Sequence, residues 1–112
     1  MQKEFYGQSY VEVKEEPPYT MKLTYYLLSD NVSEKYCTLK VYGAEIDKED
    51  IFTDGTHRRE CKIIRDLFFK RDEAENFIIK LSENLVTPMG LKDVLNEYIE
   101  EKISTLSYET HG

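Results

Sequence analysis

Apolar and polar positions alternate through the first two thirds of the chain, then recur at every third or fourth position through the last third. Between Thr20 and Leu28, Met21, Leu23, Tyr25 and Leu27 alternate with Lys22, Thr24, Tyr26 and Leu28. A period of two places the first set on one face of a strand, and that face is the more apolar. A second strand is predicted from Lys35 to about Asp47. Its Cys37, Leu39 and Val41 share one parity, whereas Ala44 and Ile46 take the other. Gly43 stands at the switch, so a bulge is expected there. The polar run Ser29–Glu34 between the two strands reads as a turn-forming connection, which makes them an antiparallel hairpin. A further strand is expected over His57–Asp66, with Cys61 and Ile63 inward. It follows an acidic connection, Asp47–Gly55, that closes on an Asp-Gly turn signal. Lys3–Lys14 alternates more weakly. It reads as an edge strand or an arm, with Gly7 marking a bulge or a frayed start and Pro17-Pro18 ending it.

The stretch from Asp72 to Ile103 changes period. Asp72 is placed to cap a helix, with Glu75 completing a capping box. Ala74, Phe77, Ile78, Leu81 and Leu85 then share one face. Asn84 is expected to be the left-handed residue that closes this helix. One of Leu67, Phe68 and Phe69 is expected to staple its start. Thr87 followed by Pro88 opens a second helix, where the missing proline N–H costs nothing. Its stripe is Leu91, Val94, Leu95, Tyr98, Ile99 and Ile103. A helix pair cannot hide both stripes alone, so it is expected to lie on the sheet; a partner-binding groove is the alternative use. The predicted fold is α+β: an antiparallel sheet of three to four strands followed by a C-terminal αα-hairpin packed on one face, a two-layer sandwich. Residues 1–19 read as an edge strand or arm, 20–103 as the α+β domain and 104–112 as a flexible tail.

At 112 residues the chain is long enough for one core and not two. Its net charge of −7 disfavours bulk attraction to nucleic acid or an anionic membrane. No apolar run reaches the ~18–20 residues of a membrane span, and the N-terminus carries no apolar leader segment. Two cysteines, Cys37 and Cys61, make no disulfide framework. They read as buried free thiols of a reducing cytoplasm.

Certain residues carry a likeness to known proteins. The strand Tyr25-Tyr26-Leu27-Leu28, the run Tyr42-Gly43-Ala44-Glu45-Ile46 and the junction from Glu83 to Leu95, with Asn84, Val86 and Pro88, resemble a family of small uncharacterised proteins from clostridia and related Firmicutes. Those proteins share a Tyr-Gly-x-Glu-Ile strand and an Asn-x-Val-x-Pro helix junction. The resemblance covers roughly residues 20–103. It implies a cytoplasmic bacterial domain of unknown function and transfers no activity.

The search for chemistry yields no catalytic, cofactor or metal set. His57 and His111 are the only histidines. His57 and Cys61 lie four apart on a strand, about 13 Å at ~3.3 Å per residue, too far for a nucleophile–base pair. No Cys-x-x-Cys and no His-Glu-x-x-His occurs. The acidic run Asp47, Glu49, Asp50 and Asp54 lacks the central glycine of a calcium loop. Seven of nine tyrosines precede residue 43. By strand parity Tyr26, Tyr36 and Tyr42 share the face away from the helices with Lys22 and Lys40, and these five form the candidate partner interface. Tyrosine is favoured at protein interfaces, and it also stacks nucleobases. Residues 58–71 hold six basic groups against two acidic ones, with Arg58, Arg59 and Lys62 as a weaker basic patch. Residues 72–102 hold eight acidic groups against three basic.

The expected function is therefore a small non-enzymatic cytoplasmic protein that binds itself or a partner protein. The alternatives are a nucleic-acid-binding module using the aromatic face, and a ligand-binding protein or enzyme with a pocket between sheet and helices.

Overall fold

The computed structural model describes residues 1–104 in full apart from the Glu34 side chain, and the backbone of residues 105–110. Four strands, β1 (Gln2–Val13), β2 (Tyr19–Glu34), β3 (Cys37–Phe52) and β4 (His57–Phe68), lie side by side in chain order, each antiparallel to the next. Helix α1 (Arg71–Glu83), a 3-10 turn (Pro88–Gly90) and helix α2 (Leu91–Thr110) form a second layer on one face. This is the predicted α+β arrangement.

The apolar alternation of β2 is met from both sides. Leu23, Tyr25 and Leu27 are buried beneath α1, beside Ala44 and Ile46 of β3. Ala74, Phe77, Ile78 and Leu81 press on them from above. Each large side chain buried this way stabilises the fold by roughly 1.5–3 kcal/mol. Phe68, Phe77 and Tyr98 close the layer from three elements, with ring centroids 5.2–5.7 Å apart in tilted and edge-on contacts.

Several boundaries differ from expectation. Ser29–Glu34 is not a loop. It continues β2, and the chain turns over Lys35–Tyr36 alone, with Glu34 paired to Cys37. Neither β1 nor β4 extends beyond Ser29 and Tyr42, so the end of this hairpin projects as a two-stranded ribbon. Strands of 16 residues span about 53 Å at ~3.3 Å per residue, which accounts for a molecule 55 Å long. The acidic connection is likewise strand as far as Phe52. Only Thr53–Thr56 turns, held by Asp54 Oδ1 accepting from the Thr56 N–H at 2.9 Å and from its hydroxyl at 2.7 Å.

The bulge expected at Gly43 lies on the opposite strand. Tyr42 pairs with Phe68 and Ala44 with Ile64, so three β4 residues, Arg65 to Leu67, face one glycine. Asp66 turns through a left-handed φ of 55° there. A Cβ on Gly43 would lie 2.1 Å from the Ile64 carbonyl oxygen, so glycine admits the β4 backbone. In β1 the bulge is where Gly7 marked it: Phe5 pairs with Tyr26 and Gly7 with Tyr25, leaving Tyr6 as the extra residue.

Helix α1 begins two residues earlier than read, with Lys70 rather than Asp72 at the cap position and no side-chain cap bond. The capping box does not form, because Glu75 accepts instead from Arg71 Nε at 2.6 Å. Phe69 is exposed and staples nothing, whereas Phe68 enters the core. At the far end Leu85, not Asn84, takes the left-handed conformation, at φ 52°. The Leu85 N–H reaches the Ser82 carbonyl and the Val86 N–H reaches the Leu81 carbonyl, at 3.3 and 3.0 Å, which is a Schellman closure. Val86 folds back into the core while Leu85 is left 42% exposed. A branched residue in this conformation costs roughly 1–2 kcal/mol, while glycine gives back roughly 0.5–1 kcal/mol in chain entropy. Leu85→Gly is therefore expected to raise stability by about 0.5–1 kcal/mol. A urea midpoint that stays put or falls would contradict this account of the junction. Helix α2 also departs from its predicted stripe. Leu91 is buried and Val94, Leu95 and Tyr98 pack on the core, but Ile99 and Ile103 are 40% and 58% exposed. Only the first turns of α2 serve the sheet.

Candidate functional site

The helices cover one face of the sheet, and alternation sends every second side chain to the other. That uncovered face has three zones. At the β1 border, Phe5 meets the Tyr26 ring edge-on at 6.3 Å, and Lys3 Nζ lies 4.3 Å above the same ring. Tyr10 stands beyond them, its hydroxyl accepting from Gln8 Nε2 at 3.1 Å. Phe5 and Tyr10 are 58% and 62% exposed, which is unusual for aromatics on a paired strand.

The middle of the face is charged. Glu45 is 4% exposed and is held by Lys3 Nζ at 2.7 Å. Its carboxyl is pushed above the usual range by burial, against the pull of Lys3 and with help from Asp47. Ligand atoms of Glu45, Asp47 and Cys61 lie within 4.8 Å of one another, the one such cluster among the described residues. Asp47 Oδ1 is shielded from water and has no hydrogen-bond partner. Cys61 carries a thiol pushed up to about 11, by desolvation first and by Asp47 second. A thiol held protonated at neutral pH is a poor nucleophile. Lys3 also occupies the position on Glu45 that a cation would need. Lys3 thus sets a positive charge against the acidic side of this cluster.

The third zone is an ion-pair ladder. Glu49 accepts from Arg59 Nε at 2.9 Å and lies 3.0 Å from His57 Nδ1. Its carboxyl is held below the usual range by His57 and then Arg59. The Cys61 side chain, four residues along from His57, has Asp47 for its neighbour.

The structure divides the residues singled out from sequence. Tyr26 and Lys22 lie on the uncovered face, Lys22 paired across from Tyr10 and Glu49. Tyr36 sits in the hairpin turn and is 97% exposed. Tyr42 is buried in the core, on the helix side with Ala44 and Ile46. No switch of side occurs along β3, so Tyr42 keeps their parity. Lys40 shares that alternation and lies on the projecting ribbon, away from Tyr26. Arg58 and Arg59, being adjacent on a strand, part to opposite faces. Arg58 donates twice to the buried Asp50 at 2.8 and 3.0 Å, and Lys62 follows its alternation. Both cysteines are free and exposed rather than buried: Cys61 is on the uncovered face and Cys37 on the ribbon. His111 lies outside the described residues. The sequence reading passed over Phe5 and Glu45 as site residues, while the edge segment around Tyr6 and Tyr10 was expected to be able to add a strand to a partner. The visible signal for Glu45 was its place between Ala44 and Ile46, which sends it to the face opposite the core.

The family of unknown function DUF6514 matches residues 4–101, nearly the whole chain. The chain belongs to the DUF6514 family. The match takes in β1, which the resemblance to small clostridial proteins had left out, so the edge strand is part of the DUF6514 unit. No curated protein and no solved structure matches this DUF6514 chain significantly. No helix among its described residues is long and apolar enough to cross a membrane.

Proposed function

We propose that this chain is a small non-enzymatic interaction module of the bacterial cytoplasm, working through self-association or a partner protein. The observation that carries the reading is the pair of exposed aromatics, Phe5 and Tyr10, on an edge strand beside the uncovered sheet face. Large aromatics anchor protein interfaces, and an edge strand adds unpaired backbone groups next to them. The space between sheet and helices is filled by Tyr25, Phe77 and Leu81, so the pocket of a ligand-binding reading has little room there. Arg58 and Arg59 part to opposite faces and are each paired with a carboxylate, which weakens the nucleic-acid reading.

The test compares the wild-type protein with a Phe5→Ser/Tyr10→Ser/Tyr26→Ser variant. Light scattering behind size exclusion is run over a dilution series, and both proteins are used to capture partners from lysate. The wild type is expected to associate or to retain a partner that the variant loses. A wild type that is monomeric throughout, with the same captured proteins as the variant, would sink the reading.

A further inference from the structure

Resting on that interaction reading, we infer that β1 is the contact and that its occupant is a second copy of this chain, paired antiparallel over the full strand. The reasoning starts from the bulge. β1 has twelve residues, Gln2–Val13. Full overlap of two such strands about a two-fold axis sets Gln2 against Val13 of the second copy, Lys3 against Glu12 and Phe5 against Tyr10. In a regular strand these pairings would fail, because odd and even residues point to opposite faces. The bulge at Tyr6 removes the conflict. Before it, Lys3 and Phe5 lie on the uncovered face, against Glu45 and Tyr26, and Glu4 reaches Arg71 on the helix side. After it, Gln8, Tyr10 and Glu12 take the uncovered face, in register with Thr24, Lys22 and Thr20. Gly7 turns to the helix side, where Ser82 lies over it. Full overlap therefore brings like faces together on both sides of the bulge.

The side chains that meet are complementary. Exposed Phe5 is set opposite exposed Tyr10, twice per dimer, and aromatic cross-strand pairs are among the favourable ones. Glu12 arrives beside Lys3, also twice. On the helix side, Arg71, Glu75 and Ser82 line the flank of α1 that faces β1. Ile79 is on the same stripe by three- and four-residue spacing and is 43% exposed. The apolar groups left uncovered at this edge thus gather near the axis. β4 has no such register. Its bulge lies near one end, and full overlap would set Cys61 of the uncovered face against Ile64 of the helix side.

The test reads the register directly. In a Cys37→Ser/Cys61→Ser background, Phe5→Cys and Tyr10→Cys proteins are prepared separately, then mixed under a mild oxidant. Opposed residues in an antiparallel ladder have Cα atoms about 4.5–5.5 Å apart, within disulfide reach. Positions 5 and 5, or 10 and 10, of two copies are offset by four ladder positions once the bulged Tyr6 is left out, roughly 13 Å. A covalent dimer is therefore expected in the mixture and not in either protein alone. Glu12→Lys, with both cysteines native, is expected to weaken the dimer about tenfold in dilution series at low salt, through two lost ion pairs. A dimer by light scattering that neither cross-links in the mixture nor responds to Glu12→Lys would overturn the β1 contact and leave the interaction reading standing. A monomer at every concentration that still captures a partner through its aromatics would overturn the second copy alone. A monomer with no such capture would remove both.

Discussion

Replacing Gly43 with alanine is expected to cost the fold about 3 kcal/mol or more, the top of the range for overpacking and a large share of an ordinary domain's stability. The added methyl would lie 2.1 Å from the Ile64 carbonyl oxygen and 3.0 Å from the Arg65 Cα. Both obstacles are backbone, so no rotamer change relieves them. β4 would have to move away from β3 at the point where its bulge brings Phe68 into the core. Gly90→Ala supplies the control. A Cβ there meets only side-chain atoms at 3.7 and 3.8 Å, an ordinary contact, so a change within ~0.5 kcal/mol is expected. Denaturation midpoints of the two variants decide the matter. A Gly43→Ala protein as stable as wild type would mean that β4 does not approach β3 in this register.

Tyr25→Phe is expected to destabilise the protein by about 1–3 kcal/mol while leaving its packing volume almost unchanged. Tyr25 is fully buried, and its hydroxyl donates to the Val86 carbonyl at 2.8 Å. That carbonyl belongs to the junction between the helices, so the bond ties the centre of β2 to the turn that aims α2. Removing it strands a buried acceptor, which costs more than a bond exposed to water. Burial pushes the Tyr25 phenol up to about 12, so it stays a donor when exposed tyrosines ionise. Thermal unfolding and amide exchange at residues 84–90 both report on the loss. Equal stability of the phenylalanine variant, with unaltered exchange there, would show that the bond contributes nothing.

The parts of this fold that the sequence announced are those where a period is matched by a partner layer. Leu23, Tyr25 and Leu27 beneath Ala74, Phe77, Ile78 and Leu81 are the instance, and both runs were read correctly. Where the layer stops, the pattern ceased to inform. The Ser29–Glu34 strand is rich in turn formers because the ribbon has no core to face, and pairing alone keeps it extended. Ile99 and Ile103 continue a helical stripe beyond the sheet that would cover it. Tyr42 misled for another reason. Tyrosine is at home on wet faces and in cores, and the run Cys37, Leu39, Val41 drew the inward parity to the odd residues. The irregularity that resolves the parity lies on β4, more than twenty residues on from Gly43, where Asp66 turns left-handed with no glycine to mark it. For the candidate site, strand parity placed Tyr26 on the uncovered face but misplaced Tyr36 and Tyr42. Tyr36 sits in the hairpin turn and Tyr42 in the core, and the exposed aromatics of the bordering strand are Phe5 and Tyr10.

Strand order that follows chain order has a consequence for how the molecule is made. Each strand pairs with the one just before it, so the whole sheet can zip hairpin by hairpin as the chain lengthens, with little entropy spent on closing loops. The distant contacts are reserved for the lid: Tyr25 to Val86, 61 residues apart, and Glu4 to Arg71, 67 apart. On the ribosome, the greasy face of a finished sheet therefore waits for its last third before it can leave water. The hazardous interval in the life of this protein is the time needed to synthesise α1, the junction and the first turns of α2.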